Sequence, residues 1–135
     1  MKPQSILETA LYVADLDVSE AFYRDLFQFP TLIADERMRA LKIVEGQMLL
    51  LFKLGGSTTG EATAGGFIPP HDGRGVLHLA FRIGENEIAA WRENLKRKNV
   101  EIESEVEANG GHSIYFRDPD GHCLELGTAQ LWNVG

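Results

Sequence analysis

A chain of 135 residues with 44% hydrophobic content has the size and apolar share of one globular domain, which argues against a disordered protein. Its 13 Lys and Arg stand against 20 Asp and Glu, giving a net charge of −7 with no basic run to follow a phosphate backbone, so a nucleic-acid partner is not expected. The sequence has neither a leader pattern nor an apolar stretch approaching about 18 residues, which predicts a cytoplasmic chain without a membrane partner. The lone Cys123 fits a reducing compartment and by itself forms neither an internal disulfide nor a structural zinc cluster.

The run Ile6-Leu-Glu-Thr-Ala-Leu-Tyr-Val13 reads as a strand. Asp17-Val-Ser-Glu20 then has the form of a capping box that opens a helix, on which Val18, Phe22 and Leu26 recur every fourth residue and predict the buried face. Phe29-Pro30 ends the helix. Strands are predicted at 31–34, 38–44 and 47–53, the last two joined by a tight turn at Glu45-Gly46. Residues 55–75, rich in Gly, Thr and Pro, read as a long loop without regular structure. Beyond it come a strand over 76–83, a helix over 86–98 with Ile88, Trp91 and Leu95 on one face, and strands at 101–106, 112–117 and 122–127. Asp118-Pro-Asp-Gly121 suits a type I turn between the last two.

The order strand, helix, three strands thus occurs twice. Residues 6–13 lie over 76–83 at an offset of 70, and Glu45-Gly-Gln-Met-Leu-Leu-Leu51 lies over Asp120-Gly-His-Cys-Leu-Glu-Leu126 at an offset of 75. The reading is an α+β fold of two βαβββ modules in tandem that form a cleft, within one domain over 1–135. The first module spans about 5–54, the loop 55–75, and the second module about 76–128.

The repeat places His78 over Glu8 and Glu125 over Leu50. Side chains alternate across a strand, so Leu77, Leu79, Phe81 and Ile83 share the face a helix covers, whereas His78, Ala80 and Arg82 share the other. By the same count Glu8, Ala10 and Tyr12 oppose the apolar set of the first strand, and Cys123, Glu125 and Gly127 oppose Leu124 and Leu126. An ionisable side chain in mid-strand costs free energy to bury unless it is paired, neutralised or metal-bound. Taken singly, each of these residues is open to a surface or salt-bridge reading, and a lone strand histidine is commonly packed in a core. Glu8, His78 and Glu125 together make a donor set suited to a divalent zinc, manganese, iron, cobalt or nickel ion, with positions left for substrate.

Leu11-Tyr-Val-Ala-Asp-Leu16 with Ala21-Phe-Tyr-Arg-Asp25, Leu77-His-Leu-Ala-Phe81, and Ser113-Ile-Tyr-Phe-Arg-Asp-Pro-Asp-Gly-His-Cys-Leu-Glu-Leu126 resemble the signatures of the vicinal-oxygen-chelate superfamily. That superfamily includes glyoxalase I, bleomycin- and fosfomycin-resistance proteins and extradiol dioxygenases. The resemblance implies a metal-dependent lyase, isomerase, transferase or dioxygenase acting on a small oxygenated molecule by chelation, in a homodimer. Its ligand positions fall on Glu8, His78 and Glu125, with Glu125 also a catalytic candidate. Tyr115 falls where fosfomycin-resistance proteins have a substrate-contacting tyrosine, and it is taken as catalytic and substrate-binding. Ser113 shares its face, and Arg82 and the loop residue His71 complete the substrate-contact candidates; His112 and His122 are expected on the surface beside turns. The fourth ligand of glyoxalase I would fall at or near Leu50, which cannot coordinate, so glyoxalase I activity is not expected. A metal-free binding protein of the bleomycin-resistance type is the alternative function.

Overall fold

The computed structural model describes all of residues 1–135. The chain divides into two compact units, Met1–Gly75 and Val76–Gly135.

In the first unit, β1 (Glu8–Val13) and α1 (Leu16–Phe27) are followed by β2 (Thr31–Ala34), β3 (Met38–Val44) and β4 (Gln47–Lys53). The sheet order is β1-β4-β3-β2, with β1 parallel to β4 and the remaining pairs antiparallel. A parallel neighbour requires a crossover, and α1 with the β2–β3 hairpin supplies it. One face of the sheet carries the core residues Leu11, Val13, Leu41, Leu49 and Leu51, all almost fully buried. Leu16, Ser19, Tyr23 and Leu26 of α1 are buried as well. The helix is rotated from its predicted face: Val18 is 52% exposed, and Tyr23 is fully buried. The cause lies at the start. Asp15, not Asp17, caps the helix, its carboxylate accepting from the backbone N–H of Asp17 and of Val18 at 3.0 and 3.1 Å. The helix consequently opens at Leu16 and turns Leu16, Ser19 and Tyr23 inward. Glu20, predicted to close the capping box, is engaged instead by Thr31 Oγ and Arg39 Nε.

The segment predicted as a structureless loop holds a small hairpin, β5 (Glu61–Thr63) and β6 (Gly66–Ile68). Strands of three residues are too short to show a two-residue period, which is why composition concealed them. Arg37 ties this hairpin to the β2–β3 turn through Glu61.

The second unit repeats the first: β7 (His78–Ile83), a 3-10 turn at Glu85–Glu87, α2 (Ile88–Arg97), β8 (Ser104–Ala108), β9 (Gly111–Arg117) and β10 (Cys123–Thr128), with sheet order β7-β10-β9-β8. A second 3-10 turn, Ala129–Trp132, follows β10. Phe81, Ile83, Ile114, Phe116, Leu124 and Leu126 form the buried face, and Leu95 is the buried residue of α2. The predicted turn closes as expected, with Gly121 N–H donating to the Asp118 carbonyl at 3.0 Å and Gly121 at φ +81°, a conformation that suits glycine. The α+β class and the tandem βαβββ modules are as the sequence predicts.

Candidate functional site

Strand pairing turns the repeat into a geometry. In the second unit His78 pairs with Cys123, Ala80 with Glu125 and Arg82 with Gly127 across β7 and β10, and β9 sets Arg117, Tyr115 and Ser113 opposite Cys123, Glu125 and Gly127. All nine lie on the sheet face opposite the apolar core set, because alternation fixes the side of every second residue. In the first unit the corresponding pairs are Glu8 with Met48, Ala10 with Leu50 and Tyr12 with Phe52.

His78 and Glu125 meet. Nε2 of His78 lies 3.3 Å from Oε2 of Glu125, with side-chain exposures of 54% and 11%. The other ring nitrogen, Nδ1, is 2.9 Å from the carbonyl oxygen of Cys123. A carbonyl only accepts, so the neutral ring carries its proton on Nδ1 and presents the Nε2 lone pair to the carboxylate. Glu125 is fixed from its other oxygen, Oε1, which accepts a hydrogen bond from Ser113 Oγ. A lone pair and a carboxylate oxygen facing each other call for a cation between them, either a proton or a metal ion.

The spacing suits the second. Two ligand atoms each about 2.0–2.2 Å from one ion stand roughly 2.8–3.6 Å apart at right-angle to tetrahedral angles. The hydrogen bond from the second nitrogen to a backbone carbonyl is the usual support of a metal-ligating histidine. The residues present therefore fit a divalent ion. In neither unit do three His, Cys, Asp or Glu side chains gather around one point; the second unit contributes the two just described.

The remaining candidates are placed as follows. The Tyr115 ring lies 6.4 Å from the His78 ring, inclined by 28°, so it flanks the pair. Ser113 is 1% exposed and its hydroxyl is spent on Glu125. Arg82 stands four residues along β7 from His78, about 13 Å away at strand rise, and donates to the carbonyl oxygen of Gly135 at 3.3 Å. Glu8 opens β1 in the first unit as an exposed residue. His71, also in the first unit, is 2.8 Å through Nδ1 from the Tyr12 hydroxyl, and its ring meets Phe52 edge-on at 4.5 Å. Leu50 occupies the position equivalent to Glu125, so the first sheet offers no second donor there.

Two histidines depart from expectation. His122 is 2% exposed, its Nδ1 accepting from the Leu77 N–H at 3.0 Å while its own N–H donates to Asp118. It is a structural pin joining the turn to the approach of β7. His112 lies on the helix side of β9, 3.1 Å from Glu105, which Arg92 holds through two bonds of 2.6 and 2.9 Å. The Arg92 guanidinium, and secondarily His112, hold the Glu105 carboxyl below its ordinary range. The contribution of Cys123 also escaped sequence reading, because it acts through its backbone and its place opposite His78 is set by the pairing of β7 with β10.

Residues 5–126 match the model of the glyoxalase/bleomycin resistance protein/dioxygenase superfamily. The metallothiol transferase FosB of Staphylococcus saprophyticus is 34% identical over 95% of this chain and 79% of its own length. The crystal structure of lactoylglutathione lyase from Agrobacterium tumefaciens is 34% identical with a TM-score of 0.90, covering 99% of this chain and 100% of that one. A variant of the fosfomycin resistance protein FosX from Listeria monocytogenes, solved with Mn(II) and 1S,2S-dihydroxypropylphosphonic acid, is 26% identical with a TM-score of 0.69, covering 96% of each chain. The chain belongs to the glyoxalase/bleomycin resistance protein/dioxygenase superfamily.

Proposed function

We propose that this protein is a divalent-metal-dependent enzyme acting on a small oxygenated molecule, with His78 and Glu125 as metal ligands and Glu8 as a third. The observation that carries the reading is the convergence of His78 Nε2 and Glu125 Oε2 at 3.3 Å, each braced on its far side by the Cys123 carbonyl and by Ser113. When bound, the ion supplies a Lewis acid that stabilises negative charge developing on a substrate oxygen. The chain's own residues set the frame for that chemistry. Cys123 holds the imidazole in the tautomer that offers Nε2, the half-exposed His78 leaves room for substrate, and Tyr115 flanks it as the orienting aromatic. Glu8 enters through its place in the repeat and the family resemblance. The nitrogen and oxygen donors suit manganese, zinc, iron, cobalt or nickel, and the Mn(II) complex of the FosX relative supports manganese as the first ion to try.

Addition of a thiol to a small oxygenated electrophile is the reaction class best supported, because relatives at up to 34% identity are metallothiol transferases. The glyoxalase reaction is disfavoured by Leu50, despite the lactoylglutathione lyase relative. A homodimer in the cytoplasm is the working state, supported by the family resemblance and by a lone Cys123 compatible with reducing conditions. The test is to purify the protein without a tag, measure bound metal by mass spectrometry, and assay fosfomycin with a panel of thiols for a sulfur–carbon adduct. Manganese-dependent adduct formation, lost in His78→Ala, is expected. Binding of a small molecule with neither metal nor turnover would instead identify a sequestering protein of the bleomycin-resistance type.

A further inference from the structure

Two glycines, Gly127 of β10 and Gly111 of β9, lie on the same sheet face as His78, Glu125 and Ser113, and both are buried. The cover comes from the chain that follows β10. A Cβ on Gly111 would stand 2.5 Å from the Leu131 backbone nitrogen and 2.9 Å from Leu131 Cγ, and a Cβ on Gly127 would stand 3.0 Å from Leu131 Cδ1. Asn109 Nδ2 donates to the Leu131 carbonyl at 3.0 Å and holds the segment down. The 3-10 turn Ala129–Trp132 therefore seats Leu131 on the open face, in the space the missing glycine side chains leave.

That space adjoins Glu125. The Cβ position of Gly127 is 3.1 Å from Glu125 Oε1, the oxygen that accepts from Ser113. Oε1 is thus held by the Ser113 hydroxyl, and the Gly127 Cβ position that it approaches to 3.1 Å is the one that Leu131 Cδ1 approaches to 3.0 Å. With one oxygen held, the flexible carboxylate is left a single way to point, and Oε2 meets His78. We infer that Ser113 and Leu131 are positioning residues that fix the orientation of Glu125, so that the segment after β10 is a wall of the site. This rests on the reading of Glu125 as a metal ligand.

The test is calorimetric titration of Mn(II) into the full chain, with the melting temperature of the metal-free protein measured alongside. Loss of such a supporting hydrogen bond costs a ligand site about 10- to 100-fold in affinity, and Ser113→Ala is expected to fall in that range. Leu131→Ala should weaken Mn(II) by a smaller factor, and Gly127→Ala, which forces a methyl against Oε1, should weaken it as well. Each variant should keep a cooperative thermal transition without metal. If folded Ser113→Ala and Leu131→Ala both bind Mn(II) as the wild type does, the positioning role is overturned and the contacts are packing alone. Failure of the wild type itself to bind would overturn the underlying reading of Glu125, which is a different result.

Discussion

At the scale of single residues, the strongest sequence inference came from residues in the wrong company. His78 and Glu125 interrupt apolar strands, and strand alternation puts each on the face opposite the apolar set. Their contact across adjacent strands follows once β7 and β10 pair in parallel. Glu125→Gln keeps the volume and the bond from Ser113 but loses the charge, and should lower Mn(II) affinity at least about tenfold while leaving the melting temperature of the metal-free chain little changed. Leu50 yields a second prediction. Turnover of the methylglyoxal–glutathione adduct should be negligible, and Leu50→Glu should tighten metal binding without creating that activity; efficient turnover by the wild type would refute the exclusion. His122 was misread for a physical reason: its sequence neighbours are turn formers, and only the fold brings the Leu77 amide to its Nδ1. Arg92 and Glu105 carry a prediction in pH. Glu105 is held below its ordinary 4.5, chiefly by Arg92, so the stability it contributes is present above that value and is lost as pH falls through the lower, folded-state one. The destabilisation caused by Arg92→Ala, read by urea unfolding, should therefore be larger at pH 7 than at pH 3.

At the scale of elements, the strands of the two sheets and the Ile88, Trp91 and Leu95 face of α2 were legible, and the face of α1 was not. A strand's alternation does not depend on where the strand is taken to begin, whereas the first helix, read as capped by Asp17 two residues after its actual cap Asp15, was assigned the wrong buried face. Asp15 decides that start, and Asp15→Ala should destabilise the protein by about 1 kcal/mol, with metal affinity unchanged. The 55–75 segment was legible as a connection but not in its detail. It folds back to place His71 against Tyr12 and Phe52, and Gly73 is so close to the Tyr12 ring that a Cβ would clash with Cδ2. Burial first, and the Asp72 carboxylate second, push the Tyr12 phenol above its ordinary 10.0. Because the folded-state value is the higher one, this group's contribution holds below about pH 10 and is lost as pH rises through the folded-state value. Gly73→Ala should lift residues 71–74 away from the ring and return the Tyr12 titration toward 10.0, a shift observable by NMR of the tyrosine ring.

At the scale of the whole molecule, the duplication carries most of what the sequence could tell. The register of β1 on β4 and of β7 on β10 is the same, so that Glu8 corresponds to His78, Met48 to Cys123, and Leu50 to Glu125. One sheet holds a bracketed pair of donors and the other a single exposed carboxylate. The types and strand positions of the candidate donors could be read from the repeat. Their bracing could not, because the Cys123 carbonyl, the Ser113 hydroxyl and the Leu131 side chain acquire their roles only through pairing and packing. The central claim is that His78 and Glu125 hold a divalent ion, and the most direct measurement is Mn(II) titration, monitored by calorimetry, of metal-free wild type against metal-free His78→Ala. Saturable binding by the wild type, abolished in a His78→Ala chain that still unfolds cooperatively, is the predicted result. Equal binding by both proteins, or none by the wild type, would contradict it.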